Sequence, residues 1–230
     1  MERKIIVQAL KRSFSTQSAP STQPACDPSC ATGTPLRCIA TNAPPTCRTG
    51  WLGSDRYRYR LIAEGFGTYA DCDIFCLRPI TETPYIMGAE RENFVNGAIL
   101  NYPPNSPFSE LLREATQNYH FIPPWFRESR QRRMKRARIF GKKVSVEALG
   151  WGIWGPHLIT HLVKRLDLWT EVSKIDRFYP LYCQHAVQLS DPELCIADLT
   201  TPRTDALHLW HKISGSTAPP GSPLDEIINC

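Results

Sequence analysis

The run Thr68-Tyr69-Ala70-Asp71-Cys72-Asp73-Ile74-Phe75-Cys76-Leu77 reads as extended chain that ends before Pro79. Residues two apart on a strand share a face, so the carboxylates of Asp71 and Asp73 are expected to address one site. Upstream, Ser54 and Asp55 have the chemistry of helix caps, and 56–64 reads as a short helix closed by Gly65 or Gly67. Downstream, 94–102 (FVNGAILNY) reads as a strand and 107–119 as an amphipathic helix opened by Ser106-Pro107. A third helix, 158–168, follows Gly155-Pro156, and 206–210 is a last apolar segment. Helices and strands alternate without an internal repeat. The pattern predicts an α/β domain.

Composition bounds the rest. The chain has 230 residues, with 42% hydrophobic and 21% charged, which excludes collagen-like, coiled-coil and wholly disordered classes. No apolar run reaches the ~18 residues of a membrane span, and Ile5-Ile6-Val7 is too short for a secretory core. A soluble, cytoplasmic protein is expected. Six of the twenty prolines fall between Pro20 and Pro45, in a Ser/Thr/Ala-rich stretch over 15–50 that carries too little apolar surface to order itself. Residues 1–53 are therefore read as an atypical, largely disordered segment, with 1–14 able to form a basic amphipathic turn or two. Taken to residue 20, that start also resembles an organellar transit peptide, a weaker alternative. Residues 213–230 are read as a flexible tail.

Nine cysteines without a Cys-x-x-Cys pair among Cys26, Cys30, Cys38 and Cys47 argue against structural zinc, and free thiols are expected. The net charge of +5 is concentrated in one place. Between Arg127 and Lys143 nine basic residues face Glu128 alone. Such a run forms a solvated helix face, or binds phosphates, nucleic acid or an anionic surface.

Paired hard oxygen ligands at Asp71 and Asp73 suit Mg2+ or Mn2+, which keep positions open for substrate phosphates. A bare Asp-x-Asp is common and mostly marks solvated charge. The phosphatase-type Asp-x-Asp-x-Thr/Val is set aside, because Phe75 stands at its last position and no strongly apolar strand precedes Asp71.

The surroundings of the pair are more specific. Ser54-Asp55-Arg56-Tyr57-Arg58-Tyr59, Gly65 and Gly67, Tyr69 two residues before Asp71, and Asp71-Cys72-Asp73 occur in order. They are followed by Val95-Asn96-Gly97-Ala98-Ile99, Gly155-Pro156 with Leu158 and Thr160, Phe178-Tyr179-Pro180, and Ala206-Leu207-His208-Leu209-Trp210. The ordered set resembles the sugar-binding region of family 32 glycosyltransferases and the related capsular-polysaccharide and α-1,4-galactosyltransferase-like sequences. That resemblance implies an incomplete GT-A-like fold, a Rossmann-like mixed sheet with flanking helices, with the catalytic region over 54–212. It also implies that the βαβα half that would precede Ser54 is missing, and hence weak donor binding.

The same resemblance implies a retaining hexosyltransferase using a UDP- or GDP-hexose and a glycan or lipid-linked acceptor, as in polysaccharide biosynthesis. Asp73 and Asp71 would carry the catalytic Mn2+ or Mg2+, with His208 as a third ligand. Asp55, Arg58, Asn96 and Trp210 would contact the donor sugar. The basic run 127–143 would then lie over an anionic acceptor or make peripheral membrane contact. The competing class is a non-catalytic phosphate- or nucleic-acid-binding module built on 127–143. Nucleic acid is the weaker partner, since only Trp125, Phe126 and Phe140 flank the run and no recognised nucleic-acid motif accompanies it.

Overall fold

The eight-residue strand β5 (Phe94–Asn101) is buried along nearly its whole length, as a central strand covered on both faces must be. A computed structural model describes residues 6–8, 50–142, 144–210 and 218–229. Around β5 it builds a five-stranded sheet in the order β1 (Ile6–Gln8), β2 (Tyr69–Asp71), β5, β4 (Ile86–Arg91), β6 (Val172–Ser173). The outer pairs β1–β2 and β4–β6 are parallel, and the inner pairs are antiparallel. The protein is thus a mixed-sheet α/β fold.

Alternation along the strands divides the core. Tyr69, Met87, Val95 and Leu100 pack against helices α1 (Gly50–Ala63), α2 (Pro107–Gln117) and α4 (Pro156–Arg165). Their neighbours Ala70, Ile86, Ala98 and Ile99 join Phe178, Tyr179 and Ala206 in a second cluster. On α2, Phe108, Leu112 and Ala115 form the buried stripe, while the Ser106 hydroxyl accepts the Ser109 amide and Pro107 occupies the first turn. On α4, Leu158, Ile159, Leu162 and Val163 face the sheet, and the Thr160 hydroxyl accepts the Val95 amide at 2.9 Å.

Several expectations are corrected. Helix α1 starts at Gly50, so Ser54 and Asp55 lie inside it rather than capping it. Its end is as expected: Gly65, at φ 76°, lets the Gly65 and Phe66 amides reach back to Ile62 and Leu61. The extended run does not continue through the acidic pair. β2 stops at Asp71, the chain turns at Cys72-Asp73, and β3 (Ile74–Cys76) leaves for a separate two-stranded sheet with β7 (Ala206–His208). Long-range pairing with β7 imposes this corner.

The tail is ordered over its described part: α6 (Pro223–Asn229) inserts Leu224 among Leu181, Leu189 and Leu207. Of the N-terminal segment 1–53, only 6–8 and 50–53 are described, the former as a strand rather than a helical turn and the latter as the start of α1. The disorder expected for 15–50 otherwise lies outside the described residues. So do Cys26, Cys30, Cys38 and Cys47, while Cys183 and Cys195 are free thiols. No helix among the described residues is long and apolar enough to cross a membrane.

Candidate functional site

Arg58 is the hub that draws the separated motifs together. Spacing of three residues on α1 puts it on the same buried face as Asp55. Its Nη1 donates to the Gly97 carbonyl of β5 at 2.6 Å. Its Nη2 stands 3.6 Å from Asp55 Oδ1 and 3.4 Å from Asp71 Oδ1. The guanidinium also lies over the Tyr69 ring, 4.8 Å from its centroid, and the Tyr69 hydroxyl donates to Asp71 Oδ1 at 2.7 Å. One residue of β2 thus orients another on the same strand face. The buried Arg58 Nε makes no hydrogen bond.

Two glycines make room for this network. A Cβ on Gly97 would stand 3.2 Å from Arg58 Nη1 and 2.7 Å from Ile159 Cδ1. A Cβ on Gly155, at the head of α4, would stand 3.2 and 3.3 Å from the two Asp55 oxygens. The Asn-Gly and Gly-Pro motifs therefore meet around one ion cluster, although about 60 residues separate them in the chain.

The electrostatics follow from burial. Asp55 is 7% exposed, and burial pushes its carboxyl up to about 6, outweighing the pull of Arg58, with the Asp71 charge adding to the rise. Burial also opposes the charge on Arg58, but Asp71, Tyr69 and Asp55 together hold the guanidinium above its ordinary value. Burial likewise raises the Tyr69 hydroxyl well above the usual phenol range. The result is a fixed cation with two carboxylates, of which Asp71 is the more open to solvent.

The second half of the acidic pair has different partners. Asp73 accepts the Leu209 amide through its carbonyl, and its Oδ2 lies 3.3 Å from His208 Nε2. His208 is buried, with Nδ1 lacking a hydrogen-bond partner, and its ring centroid is 3.9 Å from that of Trp210. Trp210, at φ 49°, donates from Nε1 to the Leu181 carbonyl. Asp73, His208 and Trp210 therefore meet beside the β3–β7 sheet. Asn96 sits on β5 next to Gly97, donating to Glu90 at 2.8 Å and accepting the Ala98 amide.

Asp71 and Asp73 have different partners: across the corner at Cys72 one stands beside Arg58 and the other beside His208. Among the described residues no group of three His, Cys, Asp or Glu side chains is placed to hold a metal ion. Asp73 with His208 remains a two-ligand set, an oxygen and an imidazole nitrogen facing one another. Asp71, by contrast, is held by Tyr69 and Arg58.

Glu90 is the partner for which the sequence offers no signal, and Tyr69 gains its role from the structure. The two-residue spacing from Tyr69 to Asp71 carried a signal, but Glu90 lies on β4, which was not read as a strand. A shallow groove of about 710 Å³ near Trp169, Lys174 and Arg203 is lined by none of the site residues. Comparison with family models, with curated proteins and with solved structures finds no significant match to this chain.

Proposed function

We propose that this protein is a metal-dependent, retaining hexosyltransferase of GT-A-like architecture that uses a UDP- or GDP-hexose. The observation that carries the reading is the convergence of Asp55, Asp71, Gly97 and Gly155 on one buried guanidinium, Arg58. Asp73, His208 and Trp210 gather one turn further along the chain. Chance similarity of short motifs gives no reason for such distant segments to meet.

In this reading, Arg58 and Asp55 are positioning residues, because both are buried and engaged with protein groups. They hold Asp71 at the end of β2, where its partly exposed carboxylate accepts hydrogen bonds from donor hydroxyls. Asn96 is fixed by Glu90 and by the Ala98 amide on β5, beside Gly97. Asp73 and His208 would hold the divalent cation, which when bound neutralises charge on the leaving nucleoside diphosphate. Trp210 backs His208 and limits its rotation. The acceptor is a glycan or lipid-linked hydroxyl compound.

The competing module reading gains little support from the basic segment. Trp125 and Phe126 pack against the core rather than standing free to stack on bases, and only Phe140 is exposed.

Calorimetry with MnCl2 and UDP or GDP tests the ligand assignment. Binding of Mn2+ in the presence of the matching nucleotide is expected to fall at least about tenfold in Asp73→Asn, a loss of about 1.4 kcal/mol or more. Asp71→Asn should leave Mn2+ affinity within about threefold. Equal Mn2+ affinity in the wild type and Asp73→Asn would remove the metal from the proposal.

A further inference from the structure

We propose that helix α3 (Glu128–Ile139) docks the protein on an anionic membrane surface, with its cations on lipid headgroups and Ile139 and Phe140 entering the interface. This inference does not depend on the transferase reading.

The helix has one inward stripe, in which Gln131, Ala137 and Arg138 are half-buried and Met134 is buried. Gln131 Nε2 donates to the carbonyls of Phe126 and Pro124, tying the helix to the preceding loop. Trp125 of that loop stacks on His157 and tilts against His161, both on α4. The helix is therefore carried on a fixed base. Its remaining surface is exposed, with Arg127, Arg130, Arg132, Arg133, Lys135 and Arg136 presented on it and Lys142 just beyond. The single acidic group, Glu128, is answered by Arg132 at 3.6 Å. Such an excess of exposed cations over a single carboxylate attracts a negatively charged surface.

The end of the helix decides which surface. Gly141, at φ 74°, terminates α3 by letting the Gly141 and Lys142 amides return to Arg138 and Ala137. The stop leaves Ile139 and Phe140 in solvent, 81% and 79% exposed. A merely solvated basic helix has no use for two large apolar side chains at its tip. Nucleic acid accounts for the cations and for one ring, but an isoleucine does not stack on a base. A lipid surface uses both features at once: headgroup phosphates or carboxylates meet Lys and Arg while the apolar tip enters the acyl boundary. Exposed single apolar residues are ordinary, but a pair at the end of a seven-cation surface is a coherent patch.

Co-sedimentation of the whole protein with vesicles tests this. Vesicles of phosphatidylcholine with 30% phosphatidylserine (about that fraction suffices to give a strong surface potential) should retain the protein at low salt, and pure phosphatidylcholine should not. The triple change Arg132→Glu, Arg133→Glu, Lys135→Glu should weaken retention by about a hundredfold or more. The double change Ile139→Ser, Phe140→Ser should weaken it by about tenfold while leaving the fold intact by circular dichroism. Failure to bind anionic vesicles, or binding that neither variant weakens, would overturn the proposal. Retention on single-stranded RNA that survives the Ile139→Ser, Phe140→Ser change, without vesicle binding, would reassign the helix to nucleic acid.

Discussion

Replacing Arg58 by methionine is expected to destabilise the protein by about 3–5 kcal/mol, the cost of removing one partner from a buried ion cluster. Arg58 is 8% exposed, and loss of its guanidinium leaves Asp55 and Asp71 with no cation between them. It also removes the 2.6 Å hydrogen bond that satisfies the Gly97 carbonyl in the middle of the sheet. Lysine should recover only a fraction, because a single ammonium cannot span the Gly97 carbonyl and two carboxylates as the planar fork does. Urea unfolding of the three proteins measures this directly. A loss below about 1 kcal/mol in Arg58→Met would mean that the cluster holds little together.

The second large effect is a pH dependence centred on Asp55. Its carboxyl rises from 3.8 to about 6 on folding, chiefly through burial. A raised folded value means that the group favours the native state when protonated. Its contribution is complete below about pH 4, declines as pH rises through 6, and by pH 7 has changed by about 3 kcal/mol. Other carboxylates also titrate, so the useful quantity is the difference between the wild type and Asp55→Asn. Relative to the wild type, the variant should gain about 2–3 kcal/mol between pH 4 and pH 7. A difference that stays constant over that window would show Asp55 to be solvated or fully compensated. Under the proposed function the same variant should lose turnover even where it is more stable, since Asp71 loses part of its support.

Much of the scaffold was legible because the signals were local. The Ser106-Pro107 cap and the Phe108, Leu112, Ala115 stripe announce α2, and the near-continuous apolar run from Phe94 announces β5. What stayed hidden depends on distant contacts. β4 contains Gly88, a weak strand former, yet the glycine is required because a Cβ there would meet Phe178 at 2.7 Å. β6 is two residues long and exists through its pairing with Met87 and Gly88. The corner that separates Asp71 from Asp73 is set by β7, more than 130 residues away in the chain. Local alternation treated the two carboxylates as one unit, and tertiary pairing divided them. The order of α6 rests in the same way on Leu224 finding Leu181 and Leu207.

The central claim is most directly tested by donor cleavage. The purified protein is incubated with a panel of UDP- and GDP-linked mannose, galactose, glucose and N-acetylglucosamine, with Mn2+ or with chelator, and free sugar is separated and quantified. At least one donor should be cleaved in the presence of Mn2+, chelator should stop the release, and Asp73→Asn should abolish it while the fold is retained. A folded wild-type protein that releases no sugar from any donor, with or without Mn2+, would contradict the assignment of this site to nucleotide-sugar chemistry.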